Sequence, residues 1–225
     1  CIRDRVEPVD IMANEPWSAD LLDYLAVEFA DNGHDFKKLL TLIVSSRTYQ
    51  SKSVEPHAGP AEDFVFRGPV AKRLTAEQFM DAIWKVTQQA PSEPAAKSTE
   101  THARRFVRSS LVSSTIMMRA LGRPNREQVV TVRPEALSTI QALELNNGKE
   151  FSQLLQKGAE HILETFKDVD TSALVRTIFQ HTLSRSPDRN ESETARQLLG
   201  TPLNADGVAD LLWTVFMLPE FQLIR

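Results

Sequence analysis

Apolar residues recur at three- and four-residue spacing along most of the chain, a period that predicts helix after helix. Leu21, Leu22, Leu25, Ala26 and Phe29 fall on one side of a first helix, with Asp20, Asp23 and Glu28 turned outward. Ser18 is its candidate N-cap, Trp17 a staple before it, and Gly33 fits the left-handed position past its end. Asp35 then caps a second helix through Phe36, Leu39, Leu40, Ile43 and Val44. So short a connection predicts an antiparallel hairpin. The first helix's apolar stripe needs more cover than one partner helix supplies, which predicts an apolar groove near Trp17, Leu21 and Leu25.

Residues 51–70 carry Pro56, Gly59, Pro60, Gly68 and Pro69 and read as loop. Thr75 and Gln78 form a capping box for a helix bearing Phe79, Met80, Ile83, Trp84 and Val86. Residues 90–103 are rich in Pro, Ser, Ala and Lys without a hydrophobic period and read as a mobile loop. Ser113 is read as the cap of a short helix through Ile116, Met117 and Leu121, stopped by Gly122 and Pro124. Val129, Val130 and Val132 form the one run with strand character, too short to imply a sheet. Pro134 opens the next helix, and Asn146, Asn147 and Gly148 stop it. Another spans about 149–166 despite Gly158, and one more starts at Thr171 or Ser172. Asp188 and Glu191 make a second capping box, for a helix ending at Gly200, and Pro219 closes a last helix over about 205–217. The expected fold is all-α, a single irregular bundle of about nine helices with short antiparallel hairpins, over residues 1–225 as one domain.

Composition narrows the chemistry. The 225 residues are 41% hydrophobic and 25% charged, ordinary for a globular chain. The longest strongly apolar tract, Val208 to Leu218, is broken by Asp210, so membrane insertion is not expected. With 26 Lys+Arg against 30 Asp+Glu the net charge is −4, an unpromising balance for nucleic acid. A lone cysteine, Cys1, rules out both a disulfide scaffold and the two thiols of a covalent c-type haem. The chain starts with Cys1 and no signal pattern follows, which reads as an internal fragment of a longer polypeptide. His34, His57, His102, His161 and His181 form no metal-binding helix pair, and Glu160, His161 and Glu164 read as a solvated helix edge. Asp31 and His34 straddle Gly33, where an imidazole suits the negative end of a helix. Phosphate loops, dinucleotide glycines and nucleophile elbows are missing, so no catalytic residue is named.

Arginine stands out. Between Arg104 and Arg133 the chain places Arg104, Arg105, Arg108, Arg119, Arg123, Arg126 and Arg133, with no lysine and Glu127 as the sole acid. That segment carries +6 and leaves −10 elsewhere. Guanidinium without ammonium favours directional, forked pairing over general solubility. Arg119, Arg123, Arg126 and Arg133 form the candidate cluster, with three roles open: internal pairing, an anion or acidic-ligand site, or an acidic partner surface. Arg123 and Arg126 flank Pro124 and Asn125 beyond a helix stop, so burial and pairing are expected there, with Arg104, Arg105 and Arg108 mostly exposed.

The residues also carry a resemblance. Trp17 to Phe29, Ser46-Arg-Thr-Tyr-Gln50, Phe66-Arg-Gly-Pro69 and Arg73-Leu-Thr-Ala-Glu-Gln-Phe79 belong to it. So do Leu121-Gly-Arg-Pro-Asn-Arg126 through Thr131, Arg133, Gln141-Ala-Leu143, Asn147-Gly148, Leu183-Ser-Arg-Ser-Pro187 and Pro219-Glu-Phe221. Together they resemble the C-terminal domain of unknown function in large planctomycete and verrucomicrobial proteins. Those proteins commonly carry a cytochrome c-like haem domain upstream. Cys1 to Val6 depart from the family pattern, and an aromatic-rich helix usual before this region is absent. The resemblance implies a periplasmic or cell-envelope setting, no cofactor in this chain, haem only in an upstream domain, and other domains of the same polypeptide as partners. Two functions follow as expectations: a non-catalytic structural or docking module, or part of a polymer-degrading system holding an acidic or sulfated ligand on arginines.

Overall fold

The computed structural model describes residues 16, 18–55, 65–91, 107–124, 138–167 and 169–224. The fold is all-α, and its chain divides into two compact units, 1–72 with 225, and 73–224. Trp17, the body of the 90–103 loop, the valine run and Pro134 lie outside the described residues.

The first unit holds α1 (Ala19–Asp31) and α2 (Phe36–Ser45). Ser18 Oγ accepts from the Leu21 amide, and the Asp35 carboxylate accepts from the amides of Lys37 and Lys38, as their cap positions predict. The turn between them is a Schellman motif: Gly33 N–H donates to the Ala30 carbonyl and His34 N–H to that of Phe29. The His34 ring meets the Phe29 ring edge-on at 5.2 Å, the apolar contact that accompanies such turns. Neither helix buries a residue. Leu21 and Leu25 are half-buried, whereas Leu22, Tyr24, Val27, Phe36, Leu40 and Val44 are exposed. Four of these, Leu22, Phe36, Leu40 and Val44, belong to the stripes that helical spacing singles out, and Tyr24 and Val27 lie beside them; the Trp17 side of the expected groove lies outside the described residues.

The second unit runs through α3 (Ala76–Thr87), a 3₁₀ turn (Ser109–Leu111), α4 (Ile116–Ala120), α5 (Thr139–Asn147) and α6 (Lys149–Thr165). It continues through α7 (Thr171–Leu183), α8 (Arg189–Leu199), α9 (Ala205–Met217) and α10 (Pro219–Gln222). Two two-residue strands, β1 (Lys72–Arg73), at the boundary between the units, and β2 (Leu223–Ile224), form a small ribbon. Both capping boxes close as their spacing predicts. Three boundaries shift. The short helix is capped by Thr115 rather than Ser113, and α5 starts behind the Ser138 cap, well past Pro134. Pro219 does not merely end α9 but opens α10, since proline suits a first helical turn.

α9 is central: Val208, Leu211, Leu212, Val215 and Phe216 are all buried, against α6 and α8. Phe221 from α10 closes the core, with ring centroids 4.6 Å from Phe216 and 5.8 Å from Phe79. Gly158 explains itself by packing. A Cβ built there would lie 2.6 Å from the Cβ of Thr87, so the glycine lets α6 approach the end of α3.

Candidate functional site

The described part of the arginine-rich segment folds around a helix stop. Gly122, at φ 91°, accepts the left-handed backbone that ends α4. Its N–H donates to the Arg119 carbonyl and the Arg123 N–H to that of Met118, a second Schellman motif. This reversal aims Arg123 at the 3₁₀ turn. One terminal nitrogen donates to the Ser109 carbonyl at 3.0 Å and to Met118 Sδ at 3.0 Å. The other donates to the carbonyls of Val112 at 3.0 Å and Ser110 at 3.3 Å. Its Nε lies 3.7 Å from the Glu77 carboxylate, and the side chain is only 15% exposed.

The same turn is held from its other side by α3. Ser109 is fully buried; its hydroxyl donates to the Glu77 carbonyl at 2.6 Å and its N–H to the Asp81 carboxylate at 2.7 Å. Arg108 pairs with that carboxylate at 2.6 Å while remaining 62% exposed. A segment too short to bury its own polar groups is therefore satisfied by the Asp81 carboxylate and Glu77 carbonyl of α3 and by Arg123. Arg119, at the end of α4, is exposed and does not join this arrangement. Arg104, Arg105, Arg126 and Arg133 lie outside the described residues.

A second arginine centre escapes any reading of charge runs. Arg185 pairs with Glu191 through two terminal nitrogens, at 2.7 Å and 2.6 Å, and reaches Glu220 at 2.8–2.9 Å. Its guanidinium also sits 5.6 Å from the Phe179 ring centroid. The two carboxylates push the Arg185 pKa further up. In return the guanidinium, helped by the Asp188 N–H and opposed by partial burial, holds Glu191 below the usual carboxylate range. Glu191 is visible in sequence as the capping-box acid, but Glu220 comes from α10 and no local spacing links it to Arg185.

Other segments that carry the resemblance also meet. Arg73, Leu121 and Gln141 line one cavity of about 10 Å³ with Phe79, Leu145 and Gln222. That is the space of at most a single water, so the gap is a packing seam. Arg73 donates to Gln222 Oε1 at 2.9 Å, and burial lowers its pKa. Glu160, His161 and Glu164 are all exposed on α6, and among the described residues no three His, Cys, Asp or Glu side chains cluster to hold a metal ion. Among the same residues no helix is long and apolar enough to cross a membrane.

Neither a curated protein nor a solved structure is significantly similar to the chain. A family model does match, over residues 4–199, from within the stretch expected to depart from the pattern to the last residue of α8. With most of its length matched, the chain belongs to the family described as PSD1, protein of unknown function (DUF1553).

Proposed function

We propose that this chain is a non-catalytic helical docking module of a multidomain envelope protein, placed beside a cytochrome c-like domain of the same polypeptide. The observation that carries the reading is the use made of Arg123. Its terminal nitrogens are spent on carbonyls of the chain's own 3₁₀ turn, where a ligand-binding guanidinium would face open space. The seam around Arg73, Leu121 and Gln141 supports the same view, because family-like segments there meet to fill volume. The exposed apolar side chains of α1 and α2 suit a surface that a neighbouring domain covers.

Melting of wild type and Arg123→Lys, each with and without sulfate, tests this. A lysine cannot reproduce a fork over three carbonyls, so the variant should lose about 1–3 kcal/mol of stability. Any response to sulfate should persist in it. A variant as stable as wild type that has lost its sulfate response would instead make Arg123 a ligand group, as a polymer-degrading system with an acidic or sulfated ligand requires.

A further inference from the structure

Between α7 and α8 the surface forms a depression of about 390 Å³ lined by Ser172, Arg176, Ser186, Pro187, Ser192 and Arg196. Its size falls within the range of small-molecule sites. Arg176 comes from α7 and Arg196 from α8, so two helices fixed by the core converge two guanidiniums on one space. Val175 and Ala195, the neighbours of these arginines in sequence, are buried and anchor the backbone on both sides.

The charges there are largely unspent. Arg176 makes no hydrogen bond or ion pair with a described residue. Arg196 donates to Ser172 Oγ at 3.1 Å, and its other nitrogen is 3.7 Å from Glu193, beyond hydrogen-bond reach of a carboxylate that is itself 62% exposed. The remaining acids on these elements are engaged elsewhere. Glu191 is held by Arg185 and the Asp188 N–H, Asp188 caps α8, and Asp170 caps α7. Ser172 accepts from Arg196, which leaves its hydroxyl hydrogen to point at a ligand. Two forked cations and a hydroxyl donor on a concave surface suit an anion with several equivalent oxygens.

We infer that this depression binds a tetrahedral oxyanion, the sulfate or phosphate group of a small organic ligand. The site is separate from Arg123 and stands whether or not the docking reading holds. Isothermal titration with inorganic sulfate and with inorganic phosphate, at ionic strength fixed by chloride, tests it on the whole chain. Saturable binding of at least one anion is expected. Arg176→Gln and Arg196→Gln should each weaken it at least tenfold, while Arg189→Gln, on an exposed residue of α8 outside the depression, should leave it unchanged. Titration at a temperature where every variant is folded, checked by circular dichroism, separates lost binding from lost structure. No saturable binding, or binding equal in all three variants, would overturn the assignment. The stronger of the two anions names the ester to seek.

Discussion

Arg123 and Arg185 are both arginines just past the end of a helix, yet they fasten the fold in different ways. Arg123 is nearly buried and holds neutral carbonyls of a segment that has little regular structure of its own. Arg185 is a third exposed and holds two carboxylates, one on α8 and one on α10. The first acts mainly through geometry, since dipoles reward only a donor at the right place, with the Glu77 carboxylate 3.7 Å from its Nε. The second acts through charge, which water and salt screen. An arginine's worth to a fold thus depends less on how many bonds it makes than on what its partners would do in its absence. The carbonyl of buried Ser109 has little water to turn to, whereas the partly exposed carboxylates of Glu191 and Glu220 do.

The comparison can be broken most directly at Arg123. Arg123→Ala removes a donor from three carbonyls, of which that of Ser109 keeps the Val112 N–H, and should cost about 2–3 kcal/mol in urea unfolding, with hydrogen exchange rising first across residues 107–112. If exchange rises uniformly instead, the turn does not depend on this side chain. A smaller effect is expected from Arg185→Lys, about 1 kcal/mol or less, and it should shrink further at high salt. Equal losses for Arg185→Lys and Arg123→Lys, or a salt-independent loss for the former, would erase the distinction drawn between them.

The smallest effect concerns pH. Glu191 has its pKa depressed in the folded chain, so it binds fewer protons there than when unfolded. Its stabilising contribution is complete above the unfolded carboxylate value of about 4.3 and is lost as pH falls towards the folded value. Unfolding followed from pH 6 down to pH 3 should therefore show an acid-side decline that Glu191→Gln flattens and Arg123→Lys leaves in place. A steeper decline in Glu191→Gln would mean the carboxylate is not protected by Arg185.

Local chemistry was readable where it acts locally. Ser18, Asp35, Thr75 and Asp188 cap helices because each partner amide lies within three residues, and sequence spacing contains that whole interaction. Gly33 and Gly122 announced helix ends for the same reason. Ser113 misled because Thr115, two residues on, offers an equivalent hydroxyl, and the choice between them is set by where Met117 and Met118 must be buried. The arginine segment was legible as an anomaly but not as an arrangement. Nothing in its spacing says that Arg123 meets Ser109, or that Arg108 meets Asp81 on another helix. Arg176, Arg185 and Arg196 stand singly among ordinary residues, so only the packing of α7, α8 and α10 reveals what they share.

The seam at the ends of the 73–224 unit has a mechanical consequence. The Leu74 N–H donates to the Gln222 carbonyl at 2.8 Å, and the Arg73 guanidinium grips the side chain of the same residue. The polypeptide thus enters and leaves this unit at one place. A force that pulled these two ends apart would load the Arg73–Gln222 and Leu74–Gln222 bonds before the helices behind them. Separating the ends would therefore break side-chain and backbone contacts at one place together, since the two already stand side by side.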